Sequence, residues 1–308
     1  MPETTASTTL ICDGFTTAGF LDGTKLSLTS YSASHHKTLM QSNAVWKHAT
    51  SVNSVRRMKG PYIQDVPTIS CEITFEPELN LLQTIMNKLI TARNSVFKVG
   101  ITDHSSGINW IFDKCYVQSF SFDVSMNSIL AASASFFVVP EYVSYIWSDR
   151  ANNAYGSDKL LPITTPIPYY AWKLSDANGG EIKDISEFSF SFNQTITPKY
   201  SCSGNQSLLP PAATHLLFGL PTIEFGMTRL MTKSGFIDFG SDMGFTNHKS
   251  KTEMDTNKIS FAVRENVLFE LTGLTEIEKT PTFEGVPAMR TTYSVNGILK
   301  NSDSSDSQ

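Results

Sequence analysis

The sequence predicts a mainly β protein: two sandwich- or barrel-like β domains in tandem, each with one flanking α-helix. Three observations carry this reading. Apolar residues alternate with polar ones in many short runs, most clearly in QSFSFDVS (118–125) and ISEFSFSFNQ (185–194). Phenylalanine falls there on every second residue, so each run buries one face of a strand and wets the other. Charged residues make up only 17% of the 308, while 20 phenylalanines and 40% apolar content suffice for packed cores. That balance suits sheets with uncharged outer faces rather than long helices or coiled coils. The third observation is an order of elements, strand, helix, strand, strand and two long closing strands, that can be read twice along the chain.

In the first half, LICDGF and TKLSLTSYSA read as strands about an LDG turn, followed by a basic stretch that ends in the breaker-rich KGPYIQDVP. TISCEITF (68–75) alternates, and Pro77 opens the best helix of the chain at a first-turn position it tolerates. Along PELNLLQTIMNKLITAR, Leu79, Leu82, Met86 and Leu89 line one face with Ile85 beside them; Asn80, Gln83, Asn87 and Lys88 lie away from it. SVFKVGIT and INWIFD follow as strands about DHSSG, and CYVQSFSFDVS and ILAASASFFVV close the half.

Residues 146–168 gather prolines around an Asn/Gly/Ser centre and read as a linker between domains at 1–145 and 169–300. The second half opens with AWKLSD and GGEIKD across ANGG. ISEFSFSF follows, then a polar loop and a short helix, AATHLLF, closed by Gly219. PTIEFGMTRLMT reads as a strand, 234–257 as an insertion, and KISFAVRENVLFELTGL, TEIEKTPTFEG and AMRTTYSVNGIL as the closing strands. The tail 301–308 has no apolar residue and is expected to be disordered. By order along the chain, ISEFSFSF matches TISCEITF, and the pair TEIEKTPTFEG and AMRTTYSVNGIL matches the pair QSFSFDVS and ILAASASFFVV.

Charge is uneven. Residues 1–145 carry 10 basic and 11 acidic side chains, and residues 146–308 carry 14 and 18. Between Asp22 and Asp65 there is no acid, yet Lys25, Lys37, Lys47, Arg56, Arg57 and Lys59 fall there with His35, His36 and His48. Such a run suits a solvated loop, an acidic protein neighbour or nucleic acid, and the chain's net charge of −5 weighs against the last. The N-terminal MPETTASTTLICDGF has neither a basic head nor an apolar core, so no secretory signal is predicted. ILAASASFFVVP stops well short of a membrane span. Cys12, Cys71, Cys115 and Cys202 include no Cys-x-x-Cys pair and read as reduced thiols, which leaves the sequons at Asn193 and Asn205 without weight.

The alternating EFSFSFNQTITPKY, the short helix, PTIEFGMTRLM and the closing VLFELTGLTEIEKTPTFEGVPAMRTTYSVNG together resemble bacteriophage tail tube proteins with two fused tube domains. The resemblance covers about 170–300 in pattern and 65–140 in architecture; the insertion 234–257 and the basic stretch 23–64 depart from the family plan. It implies a structural virion protein. Six tube domains close a ring, so a two-domain chain would form a homotrimer with pseudo-sixfold symmetry. Rings would stack into a tube whose lumen passes genomic DNA without binding it specifically. The implied partners are further copies of the chain and other tail proteins: a sheath if the tail contracts, tape measure, baseplate and terminator. The expected location is the virion tail, after synthesis in the bacterial host cytoplasm and without a membrane anchor. Lys47, Arg56, Arg57 and Lys59 are the expected ring-stacking contacts. Tube initiator, baseplate hub and terminator rings reuse the same domain and remain alternatives.

No cofactor, metal or catalytic residue is predicted, and the chain is not expected to be an enzyme. His35, His36, His48, His104, His215 and His248 lack metal-ligand spacing, and there is no Gly-x-Ser-x-Gly elbow or phosphate-binding Gly loop. Glu276 and Glu278 lie on one predicted strand and could pose as a carboxylate pair; a solvent or lumen face is the simpler reading. His215 is expected on a helix rather than in a site. A carbohydrate-binding β-sandwich is a further alternative, but Trp46, Trp110, Trp147 and Trp172 are dispersed over four elements rather than clustered as a sugar platform.

Overall fold

A computed structural model describes residues 3–13, 17–22, 24–40, 62–63, 68–92, 94–103, 108–126, 130–139, 143–147, 167–199, 215–230, 258–264, 266–283 and 285–300. Most of them are in antiparallel strands, as the alternation predicts. In the first half, β1 (Glu3–Asp13), β2 (Thr17–Leu21), β3 (Thr24–Met40) and β4 (Tyr62–Ile63) precede β5 (Thr68–Glu76). Helix α1 (Leu79–Thr91), β6 (Val96–Asp103), β7 (Ile108–Ser125), β8 (Ala131–Val138) and β9 (Val143–Trp147) follow. INWIFD and CYVQSFSFDVS, read separately in the sequence, are one strand of 18 residues, β7.

That length closes a barrel. The first part of β7 pairs with β6, and its later part pairs through its other edge with β8. The circuit β7-β6-β2-β3-β5-β8 therefore returns to β7. Phe75, Phe97, Phe112 and Phe136 fill its interior. Helix α1 buries Leu81, Leu82, Ile85, Met86 and Leu89. It begins at Leu79, with Glu78 as its cap residue, so Pro77 precedes it rather than opening it. Lys88 near its end pairs with Asp22 and lies 4.6 Å from the centre of the Phe97 ring.

In the second half, a 3-10 turn at Tyr169–Ala171 leads to β10 (Trp172–Ser175), β11 (Ile185–Asn193), β12 (Ile196–Lys199), β13 (His215–Phe218) and β14 (Thr222–Leu230). These are followed by β15 (Lys258–Val263), β16 (Asn266–Thr272), β17 (Thr275–Thr282), β18 (Ala288–Val295) and β19 (Gly297–Lys300). Strands β17-β18-β14-β11 form one layer and β10-β15-β16-β19 the other. Phe188 and Phe225 meet Phe261 across the space between them, and Phe190 meets Phe269. Helix α1 of the first half lies against β16 and β19.

Several ladders of the second half share their register with ladders of the first. The β3–β5 ladder runs from Ser27↔Glu76 to His36↔Thr68 with one shift, between Leu28 and Ser30. The β11–β14 ladder runs from Ile185↔Arg229 to Asn193↔Thr222 with its shift at the same step, between Ile185 and Glu187. Ile69↔Val138 to Phe75↔Ala132 in β5–β8 corresponds to Ile223↔Val295 to Arg229↔Met289 in β14–β18. The shift in β7 between Val117 and Ser119 recurs in β17 between Glu276 and Glu278. β9 lies along the first part of β7 as β19 lies along β16. The continuous β7 thus corresponds to β16 and β17 together, which are parted by Gly273.

This correspondence corrects two readings. The counterpart of β11 is β3, and TISCEITF in β5 corresponds to β14; only the match between the closing pairs stands. The HLLF segment of AATHLLF is a strand, β13, paired with β12. Leu216 and Phe218 cover Tyr116 and Phe137 there, with the Tyr116 and Phe218 rings 5.1 Å apart. Burial on that surface decides between strand and helix for so short an apolar run. The insertion 234–257 falls between β14 and β15, where the first half has α1, and lies outside the described residues.

The matched stretches of these ladders lie within 28–147 and 185–300, and β9 runs into the predicted linker 146–168; of that linker, 148–166 lies outside the described residues, as does the tail 301–308. The halves do not have separate cores. A single cluster of buried apolar residues runs from Leu21 to Val295, and the sheet passes from β7 directly into β11.

Gly273 bends the chain from β16 into β17 with φ +62, and a Cβ there would meet that of Asn296 at 2.7 Å. Gly273→Ala is expected to cost about 1–2 kcal/mol for the left-handed backbone alone. Chemical denaturation of the two proteins measures it.

Candidate assembly interface

The two Ser-Phe words of the sequence meet each other. Phe120, Phe122 and Val124 of β7 stand opposite Phe192, Phe190 and Phe188 of β11, with Ser121 opposite Ser191 between them. All six apolar residues are buried. Phe122 stacks on Phe190 at 5.3 Å and on Trp172 at 6.0 Å, and its edge meets Phe269 at 6.3 Å. Trp172 thus packs, partly buried, against the core. At the end of the joint, the Gln194 backbone N–H donates to the Gln118 carbonyl at 2.8 Å, and its side-chain amide donates to the Val117 carbonyl.

The opposite face of the joint is polar. Asp123, Ser125, Glu187, Ser189, Thr228 and Arg290 surround an open depression of about 300 Å³. Thr228 donates its hydroxyl to Glu187 at 2.8 Å, and Arg290 lies 3.4 Å from the same carboxylate oxygen. Burial pushes the Asp123 carboxyl up, Arg290 opposes this, and Glu187 adds to it. The register rows bring Glu72, Glu224 and Glu278 to this face as well. Among the described residues of β7, β11, β14, β17 and β18, acids therefore outnumber bases on this face.

The unfolded chain releases the Asp123 proton at lower pH than the folded protein does. Folding then takes up a proton, and stability falls as pH rises above the ordinary carboxylate value of 3.8. Asp123→Asn removes this dependence. Its urea midpoint is expected to gain on that of the wild type between acidic and neutral pH.

The register repeat gives each joint strand a counterpart. The later part of β7 corresponds to β17, and β11 corresponds to β3. Strand β17 has β18 on one edge, and among the described residues nothing pairs with its other edge. Phe283, which holds the place of the buried Val124, is 71% exposed; Ile277 near the start of β17 and Val286 after its end are 59% and 63% exposed. Pro281 lacks a backbone donor, and Glu276, Glu278 and Lys279 put charges along the strand. Such residues keep an open edge from pairing indiscriminately. This edge carries the exposed apolar groups of an interface and the safeguards of a solvent-facing strand.

The remaining sequence candidates do not converge. Lys47, Arg56, Arg57 and Lys59 lie outside the described residues. The shift at Ile277 puts Glu276 opposite Tyr293 and Glu278 opposite Thr292, and so on opposite faces of the sheet; they are not a carboxylate pair. Glu276 instead pairs with Lys279 at 2.9 Å. His215 stands opposite Lys199 on an exposed strand, not on a helix. Cys71 and Cys115 are buried free thiols whose pKa values burial pushes up, which leaves them neutral. No group of three or more metal-ligating side chains occurs among the described residues, and none of their helices is long and apolar enough to cross a membrane.

No protein-family model and no curated protein matches the chain. The joint and its unpaired counterpart are left to speak for function. Sequence reasoning found both Ser-Phe words but not their contact, because alternation gives a strand its face and not its neighbour.

Proposed function

We propose that the chain is a structural protein of a bacteriophage tail whose copies close into rings by the same strand joint that links its two halves. The observation that carries this reading is a joint made once among the described residues, at β7–β11, while its counterpart strand β17 has no described strand on its other edge. Heterologous contacts of this kind generate rings when the rotation closes. Two units per chain and six per ring, as the tail-tube resemblance implies, give a trimer. In that ring β17 of one copy would lie along β3 of the next. Thr280 would face Ser34 there, as Ser121 faces Ser191 within the chain.

The polar face of β8-β7-β11-β14-β18-β17 would then line the channel. Its serines, threonines and excess of acids suit the passage of DNA, because phosphate retention scales with the Lys and Arg it meets. Rings stacked through the basic stretch would form the tube, and charge reversal of Arg56, Arg57 and Lys59 to Glu is expected to leave rings but abolish tubes, as seen by electron microscopy.

The test is negative-stain electron microscopy with mass photometry on the purified full chain. Particles of three 34.0 kDa chains and hollow tubes support a tube protein. Threefold rings that never stack indicate an initiator, hub or terminator. A monomer at every concentration and salt overturns the proposal.

A further inference from the structure

We propose that β1 is a self-cap: it occupies the edge that the next copy's β17 must take, and it leaves that edge when the ring closes. The inference rests on the ring reading and adds a step to it. Strand β3 has two edges. Over Ser30–His36 one edge holds β5, and the other holds β1 from Asp13 to Ser7. In the second half the corresponding edges of β11 hold β14 and β7. Strand β1 therefore sits on β3 where β7 sits on β11, antiparallel in both cases. The joint carried over to the next copy would place Glu278 to Phe283 along His36 to Tyr31, residues already paired with Ser7 to Cys12. One strand edge cannot hold two partners.

The two occupants differ in what they bring. Strand β7 contributes Phe120, Phe122 and Val124 to the joint, whereas the contested part of β1, Ser7 to Cys12, reads STTLIC and holds no aromatic residue. Such a strand satisfies the backbone groups of the edge without an aromatic anchor in its sequence, which makes it exchangeable. The isolated chain thus has both halves of its joint guarded, β3 by β1 and β17 by Pro281 and its charges.

The test is a reversible lock in the full chain, Thr9→Cys with Ser34→Cys, at positions paired directly across β1–β3. It is made in a Cys12→Ser, Cys202→Ser background so that the only other thiols are the buried Cys71 and Cys115. Mass photometry is run on the oxidised and reduced forms beside the unlocked background. The proposal expects the oxidised form to lose assembly and dithiothreitol to restore it to the background level. Hydrogen exchange supplies a second readout: β1 amides are expected to be protected in single chains and to lose protection in rings. Rings that form unchanged with β1 locked overturn the self-cap and leave the ring reading standing. If the unlocked background also remains monomeric, the ring reading fails and the self-cap with it.

Discussion

Phe122→Ala is expected to lower the stability of the whole chain by about 3–5 kcal/mol, the cost of emptying a fully buried phenylalanine site. The side chain belongs to β7, yet its ring contacts are with Trp172, Phe188, Phe190 and Phe269 of the second half as well as with its neighbour Phe120. A cavity there withdraws support from both sides of the joint. Urea unfolding followed by tryptophan fluorescence and by far-ultraviolet circular dichroism tests this. The shared core predicts one transition, shifted as a whole. A first transition that moves while a second stays in place would mean that the halves unfold independently and that the joint is weak.

Phe283→Asp is expected to do the reverse: to leave the single chain within about 0.5 kcal/mol of wild-type stability, as exposed substitutions do, and to abolish ring formation. Phe283 is solvent-exposed in the chain but would be covered at the joint between copies, where its counterpart Val124 is buried against the second half. A carboxylate there would be desolvated without a partner. Mass photometry at matched concentrations separates the outcomes, because the account requires monomers from a folded variant. Rings of normal mass from Phe283→Asp would place the contact elsewhere.

The contrast between these residues shows what the sequence could and could not reveal. Strand identity was legible almost throughout, since Phe188, Phe190 and Phe192 alternate whatever lies beside them. The match between the closing pairs was legible because they occupy the same place in the order of elements. The match of β11 to β3 was not. Corresponding positions do not share identity: Cys71 answers to Phe225 and Tyr31 to Phe188, all four buried, while the buried Phe122 answers to the half-buried Pro281. The β12–β13 ribbon, inserted before β14, also displaced the apparent order. HLLF looked helical because four residues carry too little period to decide, and its neighbours Tyr116 and Phe137 come from far along the chain. The open edge was invisible for the same reason as the joint: an unpaired strand is defined by a missing neighbour.

The central claim is that the joint made once inside the chain is made again between copies, and mixed cysteine cross-linking tests it most directly. Chains carrying only Thr280→Cys are mixed with chains carrying only Ser34→Cys, both without Cys12 and Cys202, and assembled under mild oxidation. The account predicts a disulfide-linked heterodimer on a non-reducing gel, formed only in the mixture and only under assembling conditions. Assembly without that heterodimer, or homodimers of the Thr280→Cys chain alone, would contradict it.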